Sequence, residues 1–196
     1  FLLSAQASGA KVLGLANAGA DTVNCIKQAA EFGLSRKMTI AAMLMFIQDV
    51  HGVGLQQAQG LYLTESFYWN MNDGTRAFAK KIQPKLPNRM MPNMAEAGDY
   101  AGTLHYLKAA NAIGAARAQH DGAAVVAQMK AMPTDDDCFG KRHIRADGLF
   151  ITDSYLFRVK KPSESKMPWD YYDLVGTTPA AQAFEPPDPA CKLNKA

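Results

Sequence analysis

The sequence lacks the features that mark several common classes of protein. No apolar run in its 196 residues approaches the roughly 20 residues that span a membrane. There is no Gly-x-x-x-x-Gly-Lys-Ser/Thr phosphate loop, no Gly-x-Gly-x-x-Gly dinucleotide fingerprint and no Gly-x-Ser-x-Gly nucleophile elbow. The net charge is only +3 and the basic residues form isolated pairs, which disfavours a nucleic-acid partner.

Candidate catalytic and metal-binding residues are equally sparse. The four histidines are far apart, and none has a Cys or His partner at zinc spacing. The acidic run Pro133–Asp137 lacks the glycine and glutamate positions of a calcium loop, which favours a solvated turn. No pair of carboxylates stands out for acid–base chemistry. We therefore expect no metal or other cofactor, and binding rather than catalysis.

Cysteine is scarce as well, with three residues in the chain. Cys25 lies near the apolar side of a predicted helix and is expected to be a buried free thiol. Cys138 and Cys191 both lie in polar, proline-containing loops. We predict a disulfide between them, which would fit an oxidising compartment, although spacing alone leaves the pairing open.

The most informative segment that is present runs from Lys11 to Leu34. Lys11–Ala16 is a short apolar run typical of a buried parallel strand, and Asn17–Thr22 is a turn without bulky side chains. An amphipathic helix follows, with Asp21 or Thr22 as its expected cap and Gly33 as its end. Turns at the carboxyl ends of parallel strands are where open α/β sheets bind small ligands.

The next two apolar segments predict further strands of the same sheet. Met38–Met45 is typical of a second buried strand, and Gly60–Trp69 alternates as a third strand does. Strands that alternate with helices in this way predict a parallel α/β sheet with right-handed crossovers.

The later part of the chain predicts helices followed by a hairpin. We expect a surface helix at Asn72–Ile82, capped by Asn72 or Asp73, a long helix at Ala97–Gln119, and another helix at Asp121–Met132 that Asp121 starts. Phe139–Val159 is expected to form a β-hairpin around the turn Ala146–Gly148, since Asp-Gly is a strong hairpin signal.

Two aromatic clusters follow from the sequence. Phe67-Tyr68-Trp69 lies where the third strand ends, and it is either a core cluster beside a hinge or a ligand wall. In the second case Tyr68 or Trp69 would face a cleft and pack on a small molecule. The second cluster, Trp169-Asp-Tyr-Tyr172, is expected to be structural.

Several segments together resemble one family. The chain resembles the later half of a periplasmic solute-binding protein of the branched-chain amino acid (Leu/Ile/Val-binding) type, from an ABC importer. The resemblance extends over nearly the whole chain and is carried by Gly14–Thr22, Lys27–Gly33, Ala58–Trp69, Phe139–Lys141, Ile144–Gly148, Tyr155–Lys166 and Pro168–Tyr172.

This resemblance implies two Rossmann-like α/β lobes, with parallel sheets flanked by helices, that close on a ligand between them. Residues 1–68 would be part of the second lobe and 69–135 part of the first. Residues 136–196 would form a hinge-crossing hairpin and a tail that packs on both lobes. Phe1 resembles the interior of a helix, so the N-terminal part of the first lobe is expected to be absent from this chain.

The resemblance also implies a function. The protein would be a non-enzymatic receptor in the periplasm that delivers a small solute to a membrane permease. An amide- or urea-type ligand sensor on the same fold is an alternative. An enzyme with a Rossmann-like sheet is a further alternative, against which the missing motifs argue.

The expected ligand contacts of the second lobe fall at the turn after the first strand and beyond the second strand. Amino acid binders of this family place an aromatic residue at about Ala18 and an acidic residue at about Met43, and neither is present here. An ammonium group without a counter-charge is poorly held in a dry cleft. An aromatic or other small carboxylate is therefore favoured over an amino acid. The predicted ligand-binding residues are Asn17, Ala18, Gly19, Asp21, Met43, Phe46, Tyr68 and Trp69.

Overall fold

The computed structural model describes residues 1–192, which contain seven strands and eight α-helices. The strands are β1 (Val12–Leu15), β2 (Thr39–Ala42), β3 (Tyr62–Glu65), β4 (His143–Ile144), β5 (Phe150–Ile151), β6 (Ser154–Val159) and β7 (Tyr172–Thr178). The helices are α1 (Leu2–Ala7), α2 (Gly19–Glu31), α3 (Ile47–Val53), α4 (Leu55–Ala58), α5 (Asp73–Ile82), α6 (Met94–Ile113), α7 (Ala115–His120) and α8 (Gly122–Ala131).

The main sheet has the strand order β1-β2-β3-β6-β7. β1, β2 and β3 run parallel, which confirms the α/β sheet predicted from the alternation of strands and helices. β6 and β7 add to this sheet in antiparallel orientation, so it is mixed. Helices α2, α3 and α4 contact one another beside this sheet. The inward-facing residues of the parallel strands are almost fully buried, among them Leu15, Ile40 and Leu63.

The expected hairpin at Phe139–Val159 is wrong in its second strand. The turn at Ala146–Gly148 does close a hairpin, but its strands are β4 and the two-residue β5. Tyr155–Val159 belongs to β6 and pairs with β3 instead. The reason is burial, because this pairing places Phe157 and Val159 in the core at 1% and 0% exposure.

Some helix boundaries agree with the expectations and others differ. Asn72 and Asp121 cap α5 and α8 as expected, each accepting a hydrogen bond from a backbone N–H of the first turn. The predicted long helix is broken at Gly114, whose φ of +88° separates α6 from α7. Neither Asp21 nor Thr22 caps α2, which begins after Ala18 without a side-chain cap.

The predicted disulfide between Cys138 and Cys191 is not supported, because both residues and Cys25 are free thiols. Cys138 is turned into the hydrophobic core, and burial, with help from Asp136 and Asp137, raises the pKa of its thiol. Hydrogen bonds hold the tail instead. Arg145 donates to the carbonyl of Glu185 at 2.9 Å, and the N–H of Ala180 donates to Asp153 at 2.8 Å.

Gly74, at the start of α5, lies against the backbone of the segment that precedes β4. A Cβ added to Gly74 would be 2.9 Å from the carbonyl oxygen of Asp137. We therefore expect Gly74→Ala to lower the free energy of unfolding by about 1–3 kcal/mol, because a backbone segment must shift. Urea denaturation followed by circular dichroism measures this. Gly122→Ala is the matched control, since a Cβ there meets no atom within 4 Å, and an equal loss in both variants would contradict the prediction.

Candidate functional site

The carboxyl ends of β1 and β2 form one edge of the sheet, called here the ligand edge (Asn17–Asp21 and Met43–Phe46). The backbone N–H of Met43 donates to the carbonyl of Leu15 at 3.0 Å, which holds the two strand ends side by side. The structure thus brings together six of the eight predicted ligand-binding residues, which are Asn17, Ala18, Gly19, Asp21, Met43 and Phe46.

The turn after β1 is fixed by the side chain of Asn17. Its Oδ1 accepts a hydrogen bond from the Thr22 hydroxyl at 2.9 Å, and its Nδ2 donates to the Cys25 sulfur at 3.3 Å. Gly19 has a φ of +57°, a conformation that favours glycine. With Asn17 turned inward, the exposed part of the turn consists of Ala18, Gly19, Ala20 and Asp21.

The first turn of α2 adds hydrogen-bond donors to the ligand edge. Because no side chain caps this 13-residue helix, its first N–H groups lack the usual side-chain acceptor. The positive end of the helix dipole lies at the same place, and it favours an oxygen or an anion. The exposed carboxylate of Asp21 stands in this first turn, where the dipole stabilises it.

Met43 and Phe46 supply the apolar part of the ligand edge. Met43 is 68% exposed, so most of its apolar side chain faces solvent. Phe46 is half-buried at the start of α3, and its N–H donates to the Asp49 carboxylate at 2.9 Å. An open cavity of about 230 Å³ beside Met43 extends over the sheet face formed by β2, β3 and β6.

Tyr68 and Trp69, the other two predicted residues, lie in the core. They are 5% and 7% exposed. The hydroxyl of Tyr68 and the indole N–H of Trp69 donate to the carbonyl of Trp169, at 3.2 and 2.9 Å. This arrangement corresponds to the hinge-side core cluster, and it leaves both residues little surface toward a ligand.

Glu65 is a buried carboxyl group that the sequence analysis missed. It ends β3 and is 2% exposed, and its Oε1 accepts a hydrogen bond from the Tyr172 hydroxyl at 3.1 Å. Burial raises the pKa of Glu65 to about 8; Tyr172 and the Met94 N–H oppose the rise, while Asp49 and Glu96 add to it. The signal was in the alternation of β3, where Leu61, Leu63 and Glu65 fall on the inward face.

Polar side chains around Glu65 join α3 to the start of α6. Asn93 donates to the Gln48 side chain at 2.8 Å, and Gln48 donates to the Met91 carbonyl at 3.0 Å. Asn93 and Glu96 form the capping box of α6. Helix α3 and the start of α6 therefore meet at a hydrogen-bonded junction.

A family model described as periplasmic binding protein matches residues 1–166. The chain belongs to the periplasmic binding proteins. Membership of this family of binding proteins confirms the resemblance, the fold class and the expectation that the chain is not an enzyme.

Solved structures share the fold with this periplasmic binding protein. One from Burkholderia mallei is 51% identical with a TM-score of 0.84, and a branched-chain amino acid ABC transporter ligand-binding protein from Burkholderia xenovorans is 42% identical with a TM-score of 0.80. Each alignment covers 94% of this chain and 48% of the relative, so the chain spans about half the length of these relatives. A Rhodopseudomonas palustris solute-binding protein in complex with 4-hydroxybenzoate is 18% identical over 91% of this chain and 48% of its own, with a TM-score of 0.75.

The comparison with curated proteins finds no match. Among residues 1–192, no helix is both long enough and apolar enough to cross a membrane. The same residues contain no group of three or more His, Cys, Asp or Glu side chains arranged to hold a metal ion.

The bonds of Tyr68 to the 169–171 segment predict a stability effect. Tyr68→Phe removes a hydroxyl that donates to Trp169 and accepts from the Tyr171 N–H at 3.2 Å. We expect the free energy of unfolding to fall by about 1–2 kcal/mol, measured by urea denaturation. Tyr62→Phe is the matched control, because the Tyr62 hydroxyl makes no hydrogen bond within residues 1–192, and an equal effect in both variants would refute this role.

Glu65 predicts a pH dependence of stability. Its pKa is raised from 4.5 to about 8 in the folded protein, so the folded state binds the proton more tightly than the unfolded state. Between these two values the Glu65 contribution to the free energy of unfolding should fall as pH rises, by up to about 1.4 kcal/mol per pH unit. Denaturation across this range measures the slope.

Glu65→Gln keeps the shape of the side chain and an acceptor for Tyr172, so it should remove most of this slope. The exposed Glu31 at the end of α2 provides the control, and Glu31→Gln should retain it. A Glu65→Gln protein that kept the full slope would show that other groups cause it.

Proposed function

We propose that this chain is part of an extracytoplasmic solute receptor, located in the periplasm, that delivers a small carboxylate to a membrane permease. In this proposal the sheet of β1–β3, β6 and β7 is the core of the second lobe, and the ligand edge is that lobe's wall of the cleft. Closure of the lobes is a population shift toward the bound state, with no bond made or broken.

The proposed division of the chain separates a sheet side from a helical side, and β6 of the third segment completes the sheet by pairing with β3 of the first. Residues 1–68 form the sheet side, while residues 69–135 contain α6, α7 and α8, which contact one another. Residues 136–196 contain the β4–β5 hairpin, β6, β7 and the tail. On α6 and α8, Tyr106, Leu107 and Val126 are 45%, 58% and 49% exposed, which is consistent with helices that pack on the remainder of a first lobe.

The choice of ligand rests on the donors of the ligand edge. The uncapped start of α2 presents N–H groups and a positive dipole end, which suit a carboxylate, hydroxyl or carbonyl oxygen. An ammonium group is also a donor, so it gains no hydrogen bond from these N–H groups, and Asp21 is the one carboxylate of the ligand edge that could pair with it. Met43 presents an apolar side chain where an amino acid binder would present an acid, and Ala18 leaves space beside it.

These features favour an aromatic carboxylate, with its ring against Met43 and Phe46, over a branched-chain amino acid. The related fold of the R. palustris protein holds 4-hydroxybenzoate, which shows that the architecture can accommodate such an acid. At 18% identity that structure shows the fold alone, so the proposal depends on the residues of this chain.

Isothermal titration calorimetry on the complete protein tests the ligand class. We expect 4-hydroxybenzoate or benzoate to bind at least about tenfold more tightly than leucine, a difference of about 1.4 kcal/mol. Met43→Glu should weaken binding of the aromatic acid by about tenfold or more, because it places a carboxylate of the protein beside the carboxylate of the ligand. Met167→Glu, at a position that is 51% exposed outside the ligand edge, adds the same charge as a control.

Tight binding of leucine by the unaltered protein would refute the proposal that the ligand is an aromatic acid. An amide or urea would use the same N–H donors through its carbonyl oxygen, so acetamide and urea belong in the same titration. Binding of either in preference to the acids would favour the sensor alternative.

A further inference from the structure

A second cavity lies at the opposite end of the parallel strands from the ligand edge. It has a volume of about 370 Å³, within the range of small-molecule sites. Its floor is formed by buried apolar side chains that include Ile26, Ile40 and Leu61. We call it the basic cavity because its rim carries Lys11, Arg36 and Lys37.

The strand register brings these three cations together. Lys11 precedes β1 and Arg36 and Lys37 precede β2, and the N–H of Thr39 donates to the Lys11 carbonyl at 2.8 Å. None of the residues that line the basic cavity is acidic. Within residues 1–192, no side chain forms an ion pair or hydrogen bond with any of the three cations.

The basic cavity is distinguished by where its cations lie, because three of them line one concave surface that has no acidic residue. Other cations that lack a side-chain partner among the described residues, such as Lys80, Lys85 and Lys141, lie outside the cavity, and the less exposed Arg142 and Lys160 are paired with Asp153 at 2.8 Å and Asp170 at 2.6 Å. Three like charges beside one cavity repel one another, and an anion seated between them would remove that repulsion.

We propose that the basic cavity binds a phosphate ester. A phosphate monoester carries close to two negative charges at neutral pH and three acceptor oxygens, which match three cations. The planar guanidinium of Arg36 can bind two phosphate oxygens at once, while Lys11 and Lys37 act as point charges. The hydroxyls of Ser35 and Thr39, which also line the cavity, suit a polar organic part such as glycerol. The phosphate is either that of a free monoester or that of a lipid headgroup, and a phosphodiester headgroup such as phosphatidylglycerol would offer a single charge and two free oxygens to the same cations.

Titration of the complete protein with glycerol phosphate, and flotation with vesicles, tests this site. The vesicles contain phosphatidylcholine with or without phosphatidylglycerol. Lys11→Gln, Arg36→Gln and Lys37→Gln are combined in a cavity variant. The control variant combines Lys80→Gln, Lys85→Gln and Lys141→Gln, three exposed residues outside the cavity, and has the same net charge.

We expect the unaltered protein and the control variant to bind glycerol phosphate alike, and the cavity variant to lose about tenfold or more in affinity. Arg36→Lys alone should lose part of this affinity, because it keeps the positive charge but loses the guanidinium that binds two phosphate oxygens at once. The same pattern on phosphatidylglycerol vesicles alone would assign the phosphate to a lipid headgroup and still support the site. Equal losses in both triple variants, or no binding by the unaltered protein, would overturn the proposal.

Discussion

The backbone of Trp169 is the point at which distant parts of this chain are held together. Its carbonyl accepts hydrogen bonds from Tyr68, Trp69 and the Tyr171 N–H, at 3.2, 2.9 and 3.0 Å. Trp169 has a φ of +66°, and this left-handed conformation costs a bulky residue on the order of 1–3 kcal/mol. The three bonds, at about 1 kcal/mol each, and the burial of the indole offset that cost. Without this junction, β7 would lose its fixed entry into the sheet beside β6.

A second junction lies at the end of β3 and joins α3 to the start of α6. Glu65 ends β3 beneath the start of α6, while Gln48 of α3 bonds to Asn93 at the cap of α6. A neutral Glu65 can remain buried there because its partner Tyr172 supplies a hydrogen bond and no charge has to be desolvated. Since the Met43–Phe46 part of the ligand edge leads directly into α3, any shift of α3 against α6 would move the wall that the proposed ligand contacts.

The sequence predicted the local features of this architecture and missed the features that depend on distant partners. β1, β2 and β3 follow from short apolar runs, and the caps Asn72 and Asp121 follow from side chains that bond within one turn. The pairing of β6 with β3 joins residues nearly a hundred positions apart, and the nearby Asp-Gly turn favoured a local hairpin instead. Tyr68, Trp69 and Glu65 gain their environments from Trp169 and Tyr172, about a hundred residues later. The prediction of a disulfide was wrong for the same reason. The positions of the cysteines in the sequence do not show that Cys138 points into the core.

If the proposed function is correct, the ligand edge lets one sheet serve different solutes. The parallel strand ends, the turn after β1 and the start of α2 are set by the fold, and they supply backbone donors whatever the side chains are. Selection between an acid and an amino acid must then come from the few side chains that project from this frame. In a cleft that excludes water, an unpaired ammonium costs several kcal/mol, whereas a carboxylate oxygen can use donors that are already in place. An apolar residue at position 43 and a methyl group at position 18 therefore change the chemistry of the edge without changing the position of any strand or helix.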